Sequence, residues 1–358
     1  MPTTTRHRLE AWEQRQAKPT LKQLDDFAQV THTPVGFLFL PEPPQEKVPI
    51  PDYRTIADRG VGQPSADLLD TIFQCQQQQE WYHDYARVNG EPPVPLVGSV
   101  TATLSPVEAA TTMRSALRFQ PTARGSSWSE ALRILAEHAE DLGVLVMTNG
   151  VVGSNTHRKL DPEEFRGFAL VDDLAPIVFI NGADTKAAQI FTLAHELAHL
   201  WLGESALSDS TIEAEPAGRV ERWCNQTAAE LLVPLADIVE DFNSEAPLTD
   251  EFERLAKRFR VSTLVVLRRL YDAGHLTTEV YRRTYSEELR RVLDLMAERG
   301  SAGGNFYATL QVRVGKRFAR ALVASTLEGQ TLHRDAFRML GFKKLSTFED
   351  LAGRLGVG

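Results

Sequence analysis

Cysteine is nearly absent from this chain: Cys75 and Cys224 are the only two in 358 residues, and neither sits in a CxxC pair. That excludes a disulfide framework and a cysteine-held zinc knuckle, and it points to a reducing, cytoplasmic setting. Long apolar runs are lacking too. No stretch approaches the roughly 18 uncharged residues a membrane span needs, and the N-terminal MPTTTRHRLEAWEQRQ has no apolar segment of the secretory kind. Positive charge is in deficit. A formal net charge of −9 excludes a protein that coats nucleic acid, although a local basic module stays compatible with it. GVGQP and SAGGN contain glycine without phosphate-loop spacing, so nothing points to nucleotide hydrolysis. There is no internal repeat. His7, His32, His83, His138, His157, His275 and His333 show no paired spacing and read as ordinary residues.

What is present is an ordinary folded composition, with 42% hydrophobic and 24% charged residues, in a chain long enough for two or three domains. Residues 1–40 read as short helices, with Pro19-Thr20 opening LKQLDDFAQVTH. Five prolines between Pro41 and Pro51 deny a helix its N–H donors and predict an extended linker over 41–62. Helical spacing follows at 64–88, at 105–119 after Ser105-Pro106, and at 127–142, where Ser127 and Glu130 form a capping pattern. The period then changes. GVLVMTNGVV, FRGFALV and PIVFIN are short runs rich in β-branched and aromatic residues, bounded by turn formers, and read as strands. From Asp184 onward the chain reads as mostly helix. The expected class is α+β, mostly helical, with one small sheet. The expected divisions are 1–40, a linker at 41–62, a central domain at 63–245, a helix-turn-helix-like unit at 246–283 and a helical region at 284–358.

The chemistry concentrates in TKAAQIFTLAHELAHLWL, an unbroken helical pattern that Asp184 is placed to cap and Gly203 to end, with Ile190, Leu193, Leu197 and Leu200 as its buried stripe. His195 and His199 are four apart and leave the helix on one face, one turn apart. Two imidazoles so placed can share one tetrahedral Zn²⁺. Glu196, one residue along, can reach a water on that ion and take its proton without ligating. His-Glu-x-x-His arises by chance in about one chain in a hundred of this length; its setting on an unbroken helical pattern after a short strand, flanked by Ala194 and Ala198, favours the metal reading.

A catalytic zinc takes a third protein ligand and keeps an open position. GRVERWCNQTAAELLVP supplies it: Glu221 lies beside the apolar stripe of Val220, Trp223, Thr227 and Leu231, and competes for the role with Glu213, Glu215 and Glu230. Asn225, one turn on, can accept the second ring N–H of a ligating histidine and fix its orientation. Cys224 is a softer donor nearby that more often belongs to a core. Zinc suits the set, and manganese or iron can use the same donors.

With these residues in place, the sequence resembles the ImmA/IrrE family of metallopeptidases, through PIVFIN, FTLAHELAHLWL, VERWCNQTAAELLVP and the upstream LDPEEFRGFALVDDLAP. The resemblance implies a gluzincin-like sheet and site in which His195, His199 and Glu221 hold zinc and Glu196 is the base. It also implies a protein substrate of the Xre-type repressor class, cleaved in a stress or mobile-element response. DEFERLAKRFRVSTLVVLRRLYDAGHL resembles the helix-turn-helix-like unit that follows the peptidase core, and the sequence after Gly303 is similar to a helical region of longer members. LEAWEQRQAKPTLKQLDDFAQVTHTPVGFLFLPEPP resembles the back half of an Xre-type DNA-binding domain whose first two helices are missing.

Three further expectations concern chemistry around the site. Tyr271, His275, Tyr281 or Tyr285 could supply an oxyanion donor. PIVFIN could take substrate as an added strand. Lys257, Arg258, Arg260, Arg268 and Arg269 give the competing reading, a DNA-binding regulator. A third reading is an interaction component of a toxin–antitoxin pair with a vestigial metal site.

Overall fold

A computed structural model describes residues 3–31, 33–42, 44, 48–52, 64–208, 218–298 and 306–357. At the front are α1 (Thr3–Glu13), α2 (Leu21–Thr31) and a 3₁₀ turn at Val35–Phe39. Ala28 is the buried residue of α2, while Leu21, Val30 and Phe39 stay exposed. Among the described residues, no residue before Val48 joins either hydrophobic core. Most of the proline-rich linker expected at 41–62 lies outside the described residues.

The next three helices start where their caps require. Ser65 accepts from Leu68 N to open α3 (Ala66–Val88), and Ser105 closes a full capping box with Glu108 ahead of α4 (Pro106–Ala116). Ser127 caps α5 (Trp128–Asp141), but the Glu130 carboxylate turns to the Ser126 N–H at 2.8 Å rather than to Ser127.

The sheet has four strands, β1 (Leu145–Asn149), β2 (Gly167–Leu170), β3 (Ile177–Asn181) and β4 (Ala206–Ser208), in the order β1-β3-β2-β4. β1 runs parallel to β3, and β2 is antiparallel to both β3 and β4. Residues alternate between its faces. Val146, Ala169, Val178 and Ile180 enter one core, and Met147, Phe168, Leu170 and Phe179 enter the other. Both faces are covered, so the strands read as continuous apolar runs. β4 escapes the sequence reading because three residues carry no period.

Two helical layers cover the sheet. On the first face lie α4, α5, α6 (Lys186–Leu202) and α7 (Arg219–Leu232), together with α8 (Leu235–Asp241), α9 (Leu248–Phe259), α10 (Thr263–Asp272) and the start of α11 (Thr278–Glu298). On the second face lie α3, α12 (Phe306–Val314), α13 (Lys316–Leu327), α14 (His333–Leu340) and α15 (Leu345–Leu355). Within the stretch expected at 246–283 lie the two helices α9 and α10, with Arg260 in the left-handed region between them. Their apolar side (Phe252, Leu255, Phe259, Val266 and Leu270) belongs to the same core as α6. Among the described residues, no helix is long and apolar enough to cross a membrane.

Candidate metal site

α6 is the element that everything else surrounds. Its cap is Thr185, whose hydroxyl accepts from Ala188 N at 3.2 Å, and not Asp184 as its spacing predicts. Asp184 instead accepts from Thr185 N and pairs with Arg166 at 3.4 Å. Gly203 ends the helix in the left-handed conformation. The expected stripe of Ile190, Leu193, Leu197 and Leu200 is buried, but so is every other residue from Gln189 to Trp201. An all-round buried helix has no solvated face on which polar side chains can rest. Its histidines and its glutamate must therefore find partners inside.

The histidines find theirs on α7. His199 Nε2 lies 2.9 Å from Glu221 Oε1, His195 Nε2 lies 3.2 Å from Glu221 Oε2, and the two ring nitrogens are 3.1 Å apart. All three side chains are buried, as is Glu196 beside them. The C-terminal end of α7 is secured by arginines. Arg114 donates to the carbonyls of Glu230 and Leu231, Arg124 donates to those of Leu231 and Leu232, and Arg269 pairs with Glu230. These cations occupy the negative pole of the helix and satisfy carbonyls that its last turn leaves open. At the other end, Trp223 Nε1 donates to Leu104 O at 2.8 Å. Glu221 is thus delivered from a helix held at both ends.

Burial by itself lowers the proton affinity of both imidazoles. At His195 the Glu221 carboxylate, with Glu196 and Asn225, outweighs burial and raises it. At His199 burial prevails despite Glu221, helped by the neighbouring ring, and the affinity falls. Glu221, which burial alone would push up, is held well below the ordinary carboxylate range by the two histidines.

The donors fit a divalent cation. Three ligand atoms at about 2.0–2.1 Å from one tetrahedral zinc stand about 3.3 Å apart. The two ring nitrogens stand 3.1 Å apart, with Glu221 Oε1 2.9 Å from His199 and Oε2 3.2 Å from His195, so the imidazole pair needs to open by only a few tenths of an ångström. Two imidazoles and one carboxylate make a donor set of mixed softness that suits zinc and its neighbours.

Glu230, a rival for the third position, is instead committed to Arg269 and to Leu235 N. Glu213 and Glu215 lie outside the described residues. Asn225 lies close enough to His195 to favour the protonated ring, but among the described residues its Oδ1 has no hydrogen-bond partner. Cys224 is fully buried, and burial together with nearby carboxylates pushes its thiol well up, which disfavours the thiolate a metal needs. Tyr271 and Tyr281 stack on one another at 4.5 Å, Tyr285 packs on Tyr281, and His275 packs on Phe242. Tyr281 and Tyr285 are buried in the core of α8–α11, Tyr271 is half-buried against it, and His275 stays exposed. β3 is flanked by β1 and β2 and has no free edge, so the strand PIVFIN cannot take an added strand. Of the five basic residues at 257–269, Arg258, Arg268 and Arg269 pair with Asp241, Asp272 and Glu230, and Arg260 donates to Gly125 O. Arg269 is buried in its pair, whereas Arg258, Arg268 and Arg260 keep part of their side chains at the surface.

One contributor escapes the motif altogether. Gly167, inside β2, lies where α6 crosses the sheet. A Cβ there would stand 2.5 Å from Thr192 Cγ2, 2.8 Å from Phe179 O and 3.3 Å from Glu196 Cγ. Only glycine lets the helix come close enough to set Glu196 against the strand. A glycine within a strand pattern is the signal that points to such an approach.

Comparison with known proteins places this region. Residues 139–271 match the model of the IrrE N-terminal-like domain, and residues 314–354 match a domain of unknown function, DUF8813. A curated relative, the radiation response metalloprotease IrrE of Deinococcus radiodurans, is 35% identical over 91 residues. That match covers 24% of this chain and 28% of the relative, so the chain spans little more than a quarter of its length. The segment of this protein that brings His195, His199 and Glu221 together is similar to the IrrE N-terminal-like domain.

Proposed function

We propose that the protein is a zinc-dependent endopeptidase in which His195, His199 and Glu221 hold the metal and Glu196 is the catalytic base. One observation carries the reading: two imidazoles and a carboxylate from a second helix meet within 3.2 Å of one another, with a further carboxylate next in sequence to the first histidine. A divalent cation bound there would polarise a scissile carbonyl and acidify a water. Glu196 accepts the proton of the attacking water and returns it to the leaving amine. Glu221 fixes the spacing of the two rings, and Asn225 steadies His195 by holding its orientation. The substrate we propose is an Xre-type repressor, and the setting a stress or mobile-element response in the cytoplasm; the similarity of residues 139–271 to a domain named for a radiation response metalloprotease supports both.

The test is Glu196→Gln, co-expressed with the Xre-like protein encoded nearest its gene, with fragments mapped by mass. The variant should retain bound metal while cleavage disappears. Cleavage at the wild-type rate by Glu196→Gln would remove Glu196 from the chemistry.

A further inference from the structure

The sheet face turned away from the two histidines floors a second feature. Met147 of β1 and Phe179 of β3 form the base of a cavity of about 390 Å³, walled by α3, the loop after β1, the end of α12 and the end of α14. That volume lies in the range of small-molecule sites. One wall residue is out of keeping with the rest of the fold. Arg313 Nε and Nη1 are buried, and no acceptor among the described residues bonds to either. Other buried guanidinium groups are supplied. Arg124 has three carbonyls, Arg269 has Glu230 and Val233, and Arg158, in this same cavity, has Asp67 and Asp70. Arg313 as a whole is half-buried, but two of its three guanidinium nitrogens are shielded from water without an acceptor; that is unfavourable, so the group is a candidate for a counter-ion supplied from outside. Burial, with no carboxylate to offset it, lowers the proton affinity of Arg313.

The surroundings of Arg313 have the matching sign. Gly341 leaves space beside it: a Cβ there would lie 3.5 Å from Arg313 Nη1 and 3.5 Å from the Ser154 hydroxyl. The cavity runs into a shallower depression that shares Ser154, Arg338 and Gly341 and adds Arg334 and Lys343. Arg334 and Arg338 share the Asp335 carboxylate at 3.5 and 3.7 Å. The cations at this mouth therefore outnumber its carboxylates, in a chain whose net charge is negative, and such an excess draws anions in. The fork of a guanidinium matches the oxygens of a phosphate or carboxylate.

We propose that this cavity is a binding site for a small oxyanion-bearing molecule, its charged group held by Arg313 with Arg338 and Ser154 at the rim, and its body resting on Met147 and Phe179. Arg338 and Gly341 fall within the segment that matches the domain of unknown function. The site is separate from the metal centre and does not depend on the reading of that centre.

The test is calorimetric titration of the full chain with AMP, as a phosphate source, and with succinate, as a carboxylate source, at constant ionic strength. Saturable binding of at least one is expected, and the better ligand identifies the anion. Arg313→Gln should weaken that binding at least tenfold, and Arg338→Gln, at the exposed rim, about fivefold. In the absence of ligand, Arg313→Met should melt higher than wild type, because it removes a charge that nothing compensates. Failure of both anions to saturate, equal binding by Arg313→Gln, or a lower melting point for Arg313→Met would each overturn the proposal.

Discussion

Replacing Gly167 by alanine tests whether the close approach of α6 to β2 builds the site. The added methyl group would stand 2.5 Å from Thr192 Cγ2 and 2.8 Å from the Phe179 carbonyl oxygen. Real Cβ atoms do not come so close. The threonine can turn away in part, but the carbonyl belongs to the central strand and is hydrogen-bonded in the sheet. Overpacking of this kind costs typically 1–3 kcal/mol, and more where backbone must move. With two contacts under 3 Å, one of them backbone, about 3 kcal/mol is expected. In a chain of this size that lowers the melting temperature by roughly 4 °C. Calorimetry of Gly167→Ala measures it. A Thr192→Ser change in the same background removes Cγ2 and should restore part of the loss, leaving the clash with Phe179 O. The displacement falls on the edge of α6 that carries Glu196, so cleavage should drop more than metal content. A melting temperature within 1 °C of wild type would refute the argument that the helix and strand touch here for want of a side chain.

Other outcomes follow from the same physics. Arg124→Met leaves the carbonyls of Leu232 and Phe259 without this donor in a dry environment, while Leu231 O keeps Arg114; a loss of about 3 kcal/mol is expected in a denaturant titration, with weakened metal binding because α7 loses one of its anchors. Chelation should lower the melting temperature, since a ligand at a thousand times its Kd adds about 4 kcal/mol, and His199→Ala should abolish the difference between chelated and metal-loaded samples. Glu140, whose carboxylate accepts from Arg317 N at the start of α13, is pushed up to about 7 by burial. Its folded-state proton affinity exceeds that of the unfolded chain, so its stabilising contribution is full below about pH 4.5 and is lost as pH rises through 7. Wild type should lose about 1–3 kcal/mol between those limits through this group, and Glu140→Gln should flatten that part of the stability profile.

Much of this was readable in the one-dimensional pattern. The strands, the caps at Ser105 and Ser127, the end of α6 at Gly203 and the pairing of His195 with His199 are local facts. They depend on side-chain period, cap chemistry and the 3.6-residue turn, all of which act within a few residues. The partners brought from a distance are of another kind. Whether Glu221 or Glu230 faces the histidines depends on how α7 lies across α6, and that is decided by Arg114, Arg124 and Arg269 gripping its far end. The order β1-β3-β2-β4 closes the edge of the strand that seemed open to substrate. Of the basic residues of α9 and α10, Arg268 pairs with Asp272 one turn along its own helix, while Arg258, Arg269 and Arg260 meet Asp241, Glu230 and Gly125 O, which only folding brings near. Spacing along the chain determined which groups could share a metal. Packing across 26 residues from His195 to Glu221 decided which carboxylate meets them, because long-range contacts are set by the summed burial of both faces of the sheet and leave no periodic trace in the sequence.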